Sequence, residues 1–126
     1  VFNKTDIFRC TRRGTNESWD SVSKLTVPHD DSIRNWTWPS YGGGENRLIL
    51  CAKLGDGSNL EWPYVVEKSS EDSWGRRAPI LMDGQHQPGR APRYCEAMGE
   101  LIYTKGTGPA NAPFQTTELW VADAKL

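Results

Sequence analysis

The chain is poor in cysteine, with only Cys10, Cys51 and Cys95. At most one internal disulfide can form, so a disulfide-framed miniprotein is excluded. No CxxC pair and no His/Cys cluster with zinc spacing occurs, which removes the usual structural metal sites, and no metal or cofactor is expected. No apolar run approaches the roughly 18 residues that signal a membrane-spanning helix, so no membrane partner is expected. Charge of one sign is also missing. The formal net charge is -1, which argues against a protein that grips nucleic acid through its overall field. No internal repeat or low-complexity tract is present.

What is there suits one soluble domain over residues 1–126: 37% hydrophobic and 25% charged residues, six tryptophans, and turn-forming glycines and prolines spread along the chain. Three sequons, at Asn3, Asn16 and Asn35, favour a secreted protein. One helix is predicted near the N-terminus. Thr15 or Asn16 would cap it, Trp19, Val22 and Leu25 would form its apolar stripe, and Pro28 would end it. Short apolar runs bounded by turn residues predict strands over 47–52, 61–66, 80–82, 93–96, 100–104 and 117–122, with a hairpin turn at Met98-Gly99. The expected fold class is α+β, one N-terminal helix packed on a twisted antiparallel sheet. Trp19, Trp62 and Trp120 fall in predicted elements and are expected in the core. Trp36, Trp38 and Trp74 fall in predicted loops. With Tyr41 they are the candidate binding residues, for stacking on RNA bases or anchoring a partner.

The polar residues raise a chemical possibility. His29 follows Val27-Pro28, Glu61 begins the strand Glu61-Trp62-Pro63, and Arg93 lies in Pro88-Gly89-Arg90-Ala91-Pro92-Arg93. Together with Phe8-Arg9-Cys10, this ordered set resembles the fungal guanyl-preferring ribonucleases and the sarcin-like ribotoxins. RNA transesterification needs a base for the 2′-proton, a cation for the phosphorane and an acid for the leaving 5′-oxygen. The resemblance implies Glu61 as base, His29 assisting it and Arg93 on the phosphate. It also implies an acidic histidine on the strand that here ends Tyr103-Thr104-Lys105. Threonine and lysine donate protons poorly near neutral pH. His86 is a weak substitute, and the Pro-Gly-x-x-Arg segment is one residue too long.

A scaffold with an incomplete catalytic set resembles the ribonuclease-like secreted effectors of plant-infecting fungi, of the powdery-mildew type. That resemblance implies a secreted pseudoenzyme, delivered toward or into the host cell. It would bind host RNA, ribosomes or a host protein, and a plant immune receptor would detect it. An active endoribonuclease and a small carbohydrate-binding β-module are the alternatives. The protein is expected to be a monomer, and the partner of each cysteine is open.

Overall fold

The computed structural model describes residues 6–28, 32–70, 73–108 and 115–126. Among these the protein is all-β, and no helix forms. The expected α+β class is therefore wrong. The segment assigned to a helix is a loop followed by strand β2 (Val22–Leu25), paired antiparallel with β1 (Ile7–Cys10) in the register Ile7↔Leu25 and Cys10↔Val22. The physical reason lies in the residues between the apolar positions. Ser18, Asp20, Ser21 and Ser23 are residue types whose side chains compete with helical backbone bonds. The three-residue spacing of Trp19, Val22 and Leu25 does not mark a buried stripe either: Leu25 is buried, while Trp19 and Val22 are exposed.

A four-stranded antiparallel sheet follows, in the order β3 (Ile33–Tyr41), β4 (Arg47–Leu54), β5 (Glu61–Ser70), β6 (Ser73–Pro79). A three-stranded antiparallel sheet closes the domain, in the order β7 (Arg90–Cys95), β8 (Glu100–Gly106), β9 (Thr117–Asp123). The strands expected over 47–52, 61–66, 93–96, 100–104 and 117–122 all exist within β4, β5, β7, β8 and β9. Residues 80–82 make only isolated bridges, from Met82 to Gln85 and Ala124.

Side chains alternate across a pleated strand, and β4 shows what that achieves here. Leu48, Leu50 and Ala52 point to one face, where they meet Ile7, Leu25, Ile33, Trp36, Val66 and Trp74. Ile49 points to the other, where it meets Ile80, Met82, Leu101, Tyr103 and Ala122. The central sheet is thus covered on one face by the β1–β2 hairpin and on the other by the β7–β9 sheet. A strand buried on both faces reads as a continuous apolar run, and Leu48-Ile49-Leu50-Cys51-Ala52 is that run. Each fully buried side chain of this size contributes roughly 1.5–3 kcal/mol of apolar burial.

Four of the six tryptophans divide the opposite way from the expectation. Trp36 on β3 and Trp74 on β6 are buried, and Trp36 meets Tyr64 edge-on at 6.0 Å between ring centroids. Trp19 and Trp120, expected inside, are 58% and 43% exposed. Trp36 and Trp74 are therefore core residues and cannot present their rings to a ligand.

Candidate functional site

Three strands converge on Glu61. The carboxylate lies at the start of β5 on the face turned toward β7, and the residue is only 5% exposed. Arg90, at the start of β7, donates from Nε to Glu61 Oε2 at 2.6 Å. From β3, Trp38 donates its indole N–H to Oε2 at 3.0 Å, and Thr37 donates its hydroxyl to Oε1 at 3.0 Å. A buried carboxylate is tolerated only when paired and hydrogen-bonded, and both oxygens are engaged here.

The backbone is bent to make this cluster. The β3–β4 register shifts between Thr37 and Ser40, and the β7–β8 register shifts between Arg90 and Arg93. Each irregularity contains a residue in the left-handed region, Trp38 at φ 54° and Ala91 at φ 48°. Such conformations cost of order 1–3 kcal/mol at non-glycine residues and persist only when their surroundings hold them. Bulges re-aim side chains, and these two turn Trp38 and Arg90 onto the same carboxylate. The Arg90 guanidinium also lies 5.8 Å from the Trp38 ring centroid, within cation–π reach. Ser40 Oγ donates to Pro92 O at 3.0 Å, a second tie between β3 and β7. Gly89 permits the approach of β7. A Cβ there would lie 2.5 Å from Tyr103 Cδ2, closer than any real contact.

The free volume beside Glu61 is about 40 Å³, bordered by Leu60, Pro88, Arg90, Thr104 and Lys105. That is far below the roughly 300–1,000 Å³ of pockets that enclose organic ligands. Cys51 lies on the same side. Its thiol donates to Gly89 O at 3.2 Å, and burial, reinforced by the negative Glu61, pushes its pKa far above the ordinary thiol range. It is an inert core thiol.

Among the described residues, Glu61 pairs with Arg90 and not with Arg93. Glu61 and Thr104 border the same small space. Arg93, expected on the phosphate, is exposed and donates to the adjacent Pro92 O at 2.8 Å. Arg90 occupies the place assigned to it. The extra residue between Gly89 and Arg93 was the signal, since the arginine next to the glycine is the one at the carboxylate. His29 lies outside the described residues. His86 packs against Trp62 and Tyr64 at 5.2 and 5.0 Å between ring centroids. Those side chains alternate with Glu61 along β5, so His86 serves the opposite face and cannot replace the missing acid. Burial lowers its pKa, partly offset by the hydrogen bond of Nε2 with Pro63 O. The three cysteines are unbonded: Cys10 exposed, Cys51 buried, Cys95 between.

A second site was missed in the sequence. A cleft of about 260 Å³ opens between the β1–β2 hairpin and β3. Its floor is Ile7, Leu25 and Leu48, and three rings stand around it: Phe8, Trp19 and Tyr41, 59%, 58% and 45% exposed. Pro39, Ser40, Arg9 and Cys10 complete it. Arg12 lies 4.5 Å over the Trp19 ring and donates to Thr15 O, which steadies the loop carrying that ring. Of the four aromatics proposed for binding, only Tyr41 lies here. Trp38 is 41% exposed but turned toward Glu61 on the other face. A larger open cleft, about 660 Å³ between Leu81, Tyr94, Met98 and Lys125, touches none of the candidate catalytic or binding residues.

No protein-family model, curated protein or solved structure matches the chain.

Proposed function

We propose that the protein is a non-catalytic binding module that holds single-stranded RNA in the Phe8–Trp19–Tyr41 cleft and acts as a secreted effector. One observation carries the choice against cleavage. Glu61, the sole base the ribonuclease reading offers among the described residues, is buried and already accepts hydrogen bonds from Thr37, Trp38 and Arg90. A base must reach the proton it removes, and a carboxylate with both oxygens engaged in the fold is poorly placed to do so.

The cleft supports the ligand class. Its volume lies just below the roughly 300–1,000 Å³ of drug-sized pockets, which suits one ring at a time. Exposed rings give a stacking platform that tolerates any base, and Arg9 borders it. Two sequence features fit secretion and an effector role. Phe8-Arg9-Cys10, which resembles the aromatic-x-Cys motif of fungal effectors, lines the cleft, and the Asn16 sequon lies on an exposed turn open to glycosylation. The ribonuclease scaffold itself is not part of the proposal, because the expected helix is absent from the described residues.

The test is a titration of the intact protein with oligouridylate at several salt concentrations, followed by tryptophan fluorescence. Saturable quenching is expected, with log affinity falling against log salt by about 0.7 per phosphate contact. Phe8→Ala and Tyr41→Ala should each weaken binding about tenfold or more. An unchanged spectrum would overturn the RNA reading. A glycan-binding module is the second reading, favoured by the all-β architecture and the net charge of -1. Saturable, salt-independent binding of an oligosaccharide, lost in Tyr41→Ala, would establish it instead.

A further inference from the structure

Strand β9 is the outer strand of its sheet among the described residues, and β8 is its one strand partner. Its direction of hydrogen bonding can be read from its end. Ala124 donates to Gly99 O on the β8 side. Asp123 faces the other way: its N–H donates to the Asp83 carboxylate and its C=O accepts from Asp83 N–H, both at 2.9 Å. Backbone groups alternate sides along a strand. The N–H and C=O of Thr117, Leu119 and Val121 therefore point outward, on the edge that, among the described residues, Asp83 closes at Asp123.

Side chains do not protect the middle of this edge. Natural sheets blunt an exposed edge with charge, proline or a bulge. Here the middle of the strand is Leu119-Trp120-Val121, exposed by 74%, 43% and 53%, and the β8–β9 register is unbroken. Leu119 and Val121 share the outer face with Ile102, which lies opposite Val121 and is itself 38% exposed.

We infer that β9 pairs antiparallel with the β9 of a second copy, joining two three-stranded sheets into one. The register follows from charge and from the closed end. A two-fold axis at Glu118 would set two carboxylates directly opposite each other, which is destabilising. An axis at Trp120 would place Thr117 opposite the partner's Asp123, whose outward groups Asp83 already holds. An axis at Leu119 avoids both. Leu119 then faces the partner's Leu119, and Thr117 faces the partner's Val121. Every outward N–H and C=O of the three residues gains a partner, and Glu118 lies opposite the partner's Trp120. The outer faces merge into one apolar stripe across the junction. A net charge of -1 per copy leaves little repulsion to overcome. The expected monomer is thus replaced by a symmetric dimer.

The test is sedimentation velocity of the full chain over a wide concentration range, with circular dichroism to monitor the fold. The expected result is a concentration-dependent shift from monomer to dimer. Leu119→Lys, at an exposed position, should weaken association by about tenfold or more with the spectrum unchanged, since an edge lysine opposes pairing. Register is read by oxidative cross-linking in a Cys10→Ser, Cys95→Ser background. Leu119→Cys should cross-link, because facing Cα atoms about 5.5 Å apart lie within disulfide reach. Val121→Cys should not, because its copies lie about 13 Å apart along the strands. A monomer at every concentration, a dimer indifferent to Leu119→Lys, or preferential cross-linking through Val121→Cys would overturn the proposal.

Discussion

The Glu61 cluster and the aromatic cleft lie on opposite faces of the central sheet, and they invert what their residues suggest. The cluster holds the chemistry-bearing side chains, yet each is committed to another part of the protein: Glu61 to Arg90, Thr37 and Trp38, Cys51 to Gly89 O. The cleft holds ordinary aromatics, and they face solvent. The first region joins β3, β5 and β7. The second has surface to give to a ligand. A polar side chain indicates function only when some of its bonding capacity is left for something else.

The largest expected effect breaks the first half of this contrast. Arg90→Met leaves Glu61 buried without its counter-charge, and should destabilise the fold by about 3–5 kcal/mol in chemical denaturation. Glu61→Gln should cost a comparable amount. The double variant should cost less than the sum of the two, since they share one interaction. Additive costs would mean that the pair is not coupled. Arg93→Ala, by contrast, should stay within about 0.5 kcal/mol, as an exposed residue does.

Phe8→Ala and Tyr41→Ala sharpen the second half. Each should remove about 1–3 kcal/mol of RNA binding while leaving stability nearly unchanged. Loss of stability without loss of binding would make the rings structural. Trp38→Phe separates the regions more finely. It removes one donor from Glu61 and should cost about 1–2 kcal/mol of stability with no change in binding, because Trp38 does not line the cleft.

The smallest effect concerns pH. Burial holds His86 below its ordinary value of 6.5, so the unfolded chain takes up its proton first as pH falls. The folded state should therefore lose stability as pH drops from about 6.5 toward the lowered folded value, and keep this contribution above 6.5. His86→Gln should flatten that part of the curve. A stability that rises on acidification through this window would contradict the placement of His86.

Part of this architecture was legible in the sequence. The doubly buried β4, the hairpin at Met98-Gly99 and the strands bearing Glu61 and Thr104 announce themselves by apolar runs and turn residues. Glu61 was singled out as a vestigial base, because a charge opening an apolar strand stands out; its burial against Arg90, Thr37 and Trp38 was not legible. The rest depended on partners distant in sequence. β3 contains Pro39 and a bulge, and β6 (Ser-Trp-Gly-Arg-Arg-Ala-Pro) is polar, so neither reads as a strand alone. Trp36 is buried because Tyr64 and the β1–β2 hairpin cover its face. Trp19 is exposed because its helix does not form. The choice of Arg90 over Arg93 follows from a bulge, to which the extra residue after Gly89 was the local pointer.

The central claim is that Glu61 is a structural carboxylate and no longer, or never, a base. It is tested most directly by incubating wild-type protein and Glu61→Gln with end-labelled RNA, while recording the thermal midpoint of each. The account predicts no 2′,3′-cyclic phosphate from either protein and a midpoint lower by on the order of 10 °C in the variant. Cyclic phosphate formed by the wild type and abolished in a variant of unchanged midpoint would contradict it.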